Sequence, residues 1–186
     1  MSLTIISGCA SKSSPTDSGE KKPVTSEPVK KPISPTTNDG AFLTIAAVNT
    51  AILDGSKPVS FAMKAKSSSK PYTVFQFSGV TCESCKTDSP KVQADLSKMN
   101  NIARVVVFPN EAGEYAESDY QRFLNLYAPG AERLVDNNLA VVKAVRKEKA
   151  QLFGIYVVVR SSDGKAFVMN ESDSHLNIVN AVKDLK

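Results

Sequence analysis

The chain has 186 residues, of which 41% are apolar, and a formal net charge of +4. This length allows one domain of ordinary size plus a tail. No run reaches the roughly 18 apolar residues of a membrane-spanning helix, and the scattered Lys and Arg residues form no basic stripe, which argues against nucleic-acid binding. Three cysteines are too few for a disulfide-stapled scaffold, and the single histidine, His175, leaves a zinc site without a second pair of ligands. The composition therefore predicts a globular domain with no metal and no cofactor.

The N-terminus, "MSLTIISGC", contains a short apolar run that is followed by small residues and Cys9. The segment Ile6-Ser7-Gly8-Cys9 resembles the lipobox of bacterial lipoproteins, which implies that residues 1–9 are a signal remnant and that Cys9 is lipidated. A secretory signal has a basic start and about 7 to 15 apolar residues, whereas eight residues precede Cys9 and none is Lys or Arg. Three alternatives stay open: a start further upstream, first residues that do not belong to the natural chain, or a chance match that leaves Cys9 a stray thiol.

Residues 10–40 consist of Ser, Thr, Pro and Lys with almost no large apolar side chain. Such a segment cannot bury enough surface to offset its chain entropy, so the composition predicts a disordered, semi-extended tether. A tether is consistent with a lipid at one end and a domain at the other, and durable anchoring would need more than one acyl chain.

From residue 41 the apolar residues return, and the patterns predict alternating strands and helices. "AFLTIAAVNTAILDG" and "KPVSFAM" indicate short strands around a turn at Asp54-Gly55. "YTVFQF", residues 72–77, is typical of a strand buried on both faces. A helix follows, with Val92, Leu96 and Met99 on one face, and then a second buried strand, "ARVVVF", residues 103–108. Together these elements predict a βαβ unit.

The second half of the chain predicts helices followed by a hairpin. Helical patterns cover residues 115–127 and 132–153, separated by Pro129-Gly130, with Gly154 placed to end the second helix. "IYVVVRSSDGKAFVM" predicts two strands joined at an Asp163-Gly164 turn. A last helix carries three apolar residues at helical spacing, Leu176, Val179 and Val182. The predicted fold class is α/β, with a sheet that has helices on both faces.

The segment after the first buried strand contains Cys82-Glu83-Ser84-Cys85-Lys86, with Pro90 five residues after the second cysteine. This motif resembles the Cys-x-x-Cys-Lys pattern of the thioredoxin superfamily, and Glu83 resembles the TlpA/ResA-like group of extracytoplasmic thiol–disulfide oxidoreductases. Asp88 falls where that group carries an acidic residue near its dithiol. The resemblance covers residues 41–186 and implies a thioredoxin-like fold: a central mixed sheet with helices on both faces, an N-terminal β extension and a helical insertion.

Three positions depart from the family pattern. Thr81 stands where most members have tryptophan, and Ser84 replaces a proline that many members carry between the cysteines. The third is Ile155, which by counting back from the hairpin turn occupies the position of the family's cis-proline. That proline receives substrate in the family, so its replacement bears on turnover.

The placement of the cysteine pair indicates its chemistry. Cys82 lies where a strand ends and a helix begins, so free backbone N–H groups and the helix dipole are expected to lower the pKa of its thiol. Cys85, one turn into the helix, is placed to resolve a mixed disulfide formed by Cys82. Glu83 and Asp88 oppose thiolate formation and Lys86 partly offsets them, while Asp88 is either a proton carrier for Cys85 or a solvated helix residue.

The leading hypothesis is a lipid-anchored, extracytoplasmic thiol–disulfide oxidoreductase that acts on protein cysteines through Cys82 and Cys85. The resemblance implies reduction, with a DsbD/CcdA-like membrane protein as electron donor. One alternative is a redox-inactive thioredoxin-fold binding or structural lipoprotein, favoured by Ile155. The other is a Sco-type copper-handling protein, although the cysteine spacing is shorter than in that group and His175 lies beyond the hairpin.

Overall fold

The computed structural model describes residues 41–110, 113–145, 152–169 and 174–186. The predicted signal remnant, the tether and the lipidation site Cys9 lie outside the described residues. Within the described ranges no helix combines the length and the apolarity needed to cross a membrane.

The strands of the described ranges form one mixed sheet in the order β1-β8-β7-β4-β5-β6-β2-β3. The central strands β4, β5 and β6 are parallel, whereas β7, β8 and the three N-terminal strands pair antiparallel. The strand bounds are β1 Ala41–Thr44, β2 Ala51–Asp54, β3 Lys57–Ser60, β4 Tyr72–Phe77, β5 Ile102–Pro109, β6 Glu132–Asp136, β7 Ile155–Arg160 and β8 Lys165–Met169.

Helices cover both faces of this sheet, as predicted. Their bounds are α1 Phe61–Lys66, α2 Glu83–Leu96, α3 Glu117–Tyr127, α4 Ala140–Val145 and α5 Ser174–Asp184. Phe75 and Phe77 of β4 share an apolar cluster with α1 and α4. Val74, one residue away on the same strand, packs with α2 and α5 on the other face. Because side chains alternate along a strand, one fully buried strand supplies both halves of the core.

The predicted βαβ unit is confirmed. β4 is buried at every position and pairs in parallel with β5 through α2. The predicted hairpin of β7 and β8 is also confirmed, and Gly164 turns it with φ 74°. That left-handed conformation has little steric cost only for a residue without a Cβ.

The N-terminal β extension joins the sheet at both edges. β1 pairs with β8, and the β2–β3 hairpin, turned at Gly55 with φ 62°, pairs with β6. The strand prediction was wrong for Phe61 to Met63, which begin α1. Ser60 decides this boundary because its Oγ accepts a hydrogen bond from Met63 N–H at 3.4 Å and so caps the helix.

The prediction of one helix from Glu132 to Phe153 was wrong. Residues 132–136 form β6 instead, parallel to β5, and the helix α4 begins at Ala140. The segment "ERLVD" suits either structure locally, but Leu134 packs on one face of the sheet and Val135 on the other. Pairing with β5 therefore overrides the helical pattern. Gly154, φ 72°, leads directly into β7, with its N–H bonded to Phe77 O at 2.9 Å.

Two predicted helix faces need small corrections. α2 ends at Leu96, so Met99 lies in the following turn, partly buried against the same core. In α5, Ile178, Ala181 and Val182 are buried, as is Leu185 just after the helix, whereas Val179 is only half-buried. The side chain of Leu176, the first residue of the predicted face, lies outside the described residues.

Candidate redox site

Cys82 and Cys85 form a disulfide where β4 ends and α2 begins. Their Cα atoms lie 5.2 Å apart. Cys82 is half-buried, while Cys85 is 3% exposed and belongs to an apolar cluster with β5 and α3. An incoming sulfur therefore reaches Cys82 from solvent, and Cys85 is shielded from it.

Cys82 is the N-cap residue of α2. Its Sγ accepts a hydrogen bond from the backbone N–H of Cys85 at 3.2 Å, and its carbonyl accepts one from Lys86 N–H at 3.1 Å. Backbone N–H groups at a helix start carry partial positive charge, and a thiolate at this position is stabilised by them.

The carboxylates that flank the pair each have a lysine partner three residues on. Glu83 contacts Lys86 Nζ at 2.6 Å and is 83% exposed in its side chain, and Asp88 contacts Lys91 Nζ at 2.8 Å with 28% exposure. Lys86 therefore neutralises Glu83 instead of a sulfur. α2 continues through Pro90 to Leu96.

A buried polar cluster lies beneath α2, which the sequence analysis did not identify. Arg104 of β5 is 9% exposed and donates hydrogen bonds to Gln76 Oε1, to Gln93 Oε1 at 2.7 Å, and to the Oγ and O atoms of Ser89 at 2.6 and 3.1 Å. Burial lowers the pKa of Arg104 to about 10. The signal was present in the sequence, since an arginine within the apolar run "ARVVVF" requires buried partners.

Ile155 does not face the disulfide. Its side chain is fully buried on the face covered by α1 and α4, and its backbone pairs with Phe77. The residue that closes on the site from this direction is Phe153, whose ring lies 2.9 Å from the position that a Cβ on Gly79 would occupy. The described residues contain no cis peptide bond.

A groove of about 330 Å³, lined by Thr81, the residue before Cys82, opens between the start of α2 and α3. Its walls include Val80, Thr81 and Lys86 on one side and Tyr115, Leu126 and Tyr127 on the other. Thr81 Oγ1 and Tyr115 Oη are hydrogen-bonded at 3.2 Å across its end. Thr81 thus forms part of the groove wall.

No group of three His, Cys, Asp or Glu side chains in the described ranges is arranged to hold a metal ion. His175 is in the first turn of α5, beyond the hairpin. The position of its side chain lies outside the described part of the molecule.

Comparison with solved structures identifies the architecture. No family model matches the chain, and no curated protein matches it either. DsbF of Mycobacterium tuberculosis is similar with 20% identity and a TM-score of 0.56, covering 76% of this chain and 98% of that one. A thioredoxin-like protein from Aeropyrum pernix has 10% identity and a TM-score of 0.59, covering 75% and 91% of the two chains. A secreted disulfide oxidoreductase of M. tuberculosis homologous to E. coli DsbE has 14% identity and a TM-score of 0.54, with 75% and 98% covered. The chain has the thioredoxin-like fold of these proteins.

Proposed function

We propose that this thioredoxin-fold chain is a thiol–disulfide oxidoreductase that exchanges disulfides with cysteines of other proteins outside the cytoplasm. The observation that carries this proposal is the asymmetry of the Cys82–Cys85 disulfide, in which Cys82, at a helix N-terminus, is half-buried and Cys85 is buried. A purely structural disulfide does not require that one cysteine remain partly open to solvent while its sulfur accepts the N–H of the other.

The exchange assigns different roles to the two cysteines. In the reduced protein the Cys82 thiolate attacks a sulfur of the substrate disulfide, which forms a mixed disulfide and releases the other substrate sulfur as a thiolate. Cys85, deprotonated, then attacks Cys82 Sγ, so that the Cys82–Cys85 bond forms and the second substrate sulfur leaves. The reverse sequence oxidises a substrate dithiol.

Two carboxylates have modulating roles in this proposal. Glu83 and Asp88 place negative charge on the first turns of α2 and oppose thiolate formation, an effect reduced by their pairing with Lys86 and Lys91. Asp88 is three residues from Cys85 on the helix, so it is also assigned the transfer of a proton to and from that thiol.

The groove beside Cys82 supports a protein substrate. A polypeptide joined to Cys82 through a mixed disulfide must lie against the adjoining surface, and Leu126 and Tyr127 give that surface apolar character. Leu126 is 59% exposed, so this apolar side chain is available for contact with a bound polypeptide.

The proposed direction of exchange is reduction of substrate disulfides, and the proposed location is outside the cytoplasm. Resemblance to the ResA-like group supports reduction, with electrons from a DsbD/CcdA-like membrane protein. Similarity to a secreted disulfide oxidoreductase supports an extracytoplasmic site. The lipobox-like segment supports lipidation of Cys9 and attachment to a bacterial membrane through the 10–40 tether.

The test uses the full chain with Cys9→Ser, so that only the motif thiols react. Equilibration with glutathione buffers gives the redox equilibrium constant, and Cys85→Ser is then used to trap mixed disulfides from an extracytoplasmic extract. We expect trapped proteins with Cys85→Ser and none with the matched Cys82→Ser/Cys85→Ser control.

An unreactive Cys82 at neutral pH, or an empty trap, contradicts the enzyme proposal and favours the redox-inactive binding lipoprotein. Titrating the same reduced samples with copper tests the Sco-type alternative, which requires stoichiometric binding that the double serine variant loses.

A further inference from the structure

Arg104 is a buried cation that has no carboxylate partner in the described part of the chain. Its guanidinium is held by Gln76, Ser89 and Gln93, all of them neutral, and no described carboxylate pairs with it. Its Nε atom is buried with no hydrogen-bond partner among the described residues. Burying a charge is unfavourable unless an opposite charge compensates it, so this arrangement requires an explanation.

The guanidinium lies one helical turn from the buried cysteine. Its Nη2 atom contacts both Oγ and O of Ser89, which follows Cys85 by four residues on α2. Cys85 and Ser89 are both buried against the sheet, on the same side of the helix. Four residues of helix rise about 6 Å, so the guanidinium, in contact with Ser89, lies about one turn along α2 from Cys85.

Opening the disulfide places a negative charge on Cys85. When an external thiolate attacks Cys82 Sγ, a new disulfide forms between them, the Cys82–Cys85 bond breaks, and its electron pair remains on Cys85 Sγ. Cys85 lies in a cluster with Val106, Phe108 and Phe123. Apolar burial of this kind disfavours a thiolate.

We propose that Arg104 is the counter-charge of the Cys85 thiolate, positioned by Gln76, Ser89 and Gln93 beneath α2. This inference rests on the proposed exchange function. Arg104 is a positioning residue in this scheme, since it touches no reacting atom. The positive charge of Arg104 favours the reduced dithiol over the Cys82–Cys85 disulfide. Because the dithiol is then less readily oxidised, the two cysteines are a milder reductant than they would be with a neutral side chain at position 104.

Other charged groups near the site are less able to take this role. The charged groups on α2 and α3 form ion pairs or lie at the surface. Tyr120 of α3 shares the apolar cluster of Cys85, but burial raises the pKa of its phenol and keeps it neutral, and its Oη has no hydrogen-bond partner among the described residues. Tyr156 of β7 is the titratable group whose field acts on Arg104 itself. The neighbouring groups are Glu83–Lys86, Asp88–Lys91, Glu117–Arg133, Asp119 and Arg122.

The first test measures the pH dependence of Cys85 ionisation in the full chain with Cys9→Ser and Cys82→Ser. Thiolate ultraviolet absorbance then reports Cys85 alone. We expect a midpoint at or below that of a free thiol, about pH 8.5. Arg104→Gln should raise this midpoint by about one pH unit and Arg104→Lys, which keeps the charge, by less.

The second test measures the glutathione equilibrium with both motif cysteines present, at a pH above that midpoint. Arg104→Gln should shift the equilibrium constant about tenfold toward the disulfide, which corresponds to about 30 mV for this two-electron couple. The matched control is Arg160→Gln, which removes an arginine at the far end of β7, paired with Asp163, and should change neither result.

The proposal is overturned if Arg104→Gln folds, as judged by circular dichroism, and leaves the midpoint of Cys85 ionisation unchanged. If Arg104→Gln does not fold, the midpoint measured in the protein that retains Arg104 is the test. A value well above 8.5 there also overturns the proposal, because it indicates a buried thiol without a counter-charge. Neither measurement involves a protein substrate. The result for Arg104 is therefore independent of whether the Cys85→Ser variant traps partner proteins.

Discussion

The backbone N–H of Cys85 donates a hydrogen bond to Sγ of Cys82 at 3.2 Å, so the first cysteine caps the helix that carries the second. The same atom is therefore both the accessible sulfur of the disulfide and the acceptor that satisfies a free helix N–H group. Helix stability and thiol chemistry are coupled at this position.

This coupling predicts different effects of two substitutions at Cys82. In reduced protein, Cys82→Ser keeps a capping oxygen, whereas Cys82→Ala removes the acceptor and should lower the free energy of unfolding by about 1 kcal/mol more. Urea denaturation of both variants under reducing conditions measures the difference. Equal stabilities would show that the hydrogen bond contributes nothing to the reduced state.

Gly79 is predicted to tolerate no side chain while Phe153 is present. A Cβ at Gly79 would lie 2.9 Å from the Phe153 ring, so Gly79→Ala should destabilise the protein by about 1–3 kcal/mol. Phe153→Ala in the same chain should recover part of that loss, since it removes the clash. A double-mutant cycle with additive effects would exclude this contact as the cause.

Leu126 is predicted to contribute to substrate binding through the groove. Leu126→Ala should raise KM for reduction of a protein disulfide such as that of insulin about fivefold, consistent with about 1 kcal/mol of lost apolar burial. The glutathione equilibrium should not change. Met63→Ala is the matched control, because Met63 is a 73% exposed apolar side chain on α1, which covers the other face of the sheet. Equal effects on KM would argue against docking in the groove.

Asp88 is predicted to act on the second step of the exchange. Asp88→Asn should slow release of the substrate from the mixed disulfide, while alkylation of Cys82 in the Cys85→Ser background should be unchanged or faster. Rapid-quench kinetics separate the two steps. Asp95→Asn provides a matched control, since Asp95 is on the same helix and pairs with Lys98 in the same way. An effect of equal size from both variants would identify Asp88 as a solvated helix residue.

Asp163 is predicted to make stability depend on pH. Hydrogen bonds from Arg160 and from the backbone of Lys165 hold the pKa of Asp163 far below its usual range. A carboxyl group whose pKa falls on folding stabilises the protein above its unfolded-state pKa of about 3.9, and this contribution disappears as the pH falls through the folded-state value. Thermal denaturation should therefore show Asp163→Asn less stable at pH 7 and equal to the parent in strong acid. A constant difference at all pH values would contradict the ionic origin.

Local sequence patterns predicted the secondary structure correctly where a strand is uniformly apolar or where a turn has a characteristic dipeptide. The uniform apolar run of β4 and the Asp163-Gly164 turn of the last hairpin predicted their elements correctly. The prediction was wrong at Glu132–Asp136. A segment this short fits both the helical and the strand periodicity, and only pairing with β5 makes it a strand. Counting from the hairpin assigned Ile155 to the cis-proline position, but strand alternation directs its side chain to the face covered by α1 and α4.

The sequence alone determined that two cysteines stand three residues apart at a strand-to-helix boundary, since residue types and spacing are local properties. Only the tertiary structure decided which charges reach them. Arg104 is 19 residues beyond Cys85 in the sequence, and it contacts Ser89, one helical turn from that cysteine, because β5 returns parallel to β4 and directs Arg104 under α2. Electrostatic interactions depend on distance through space and on burial, and neither quantity can be obtained from separation along the chain.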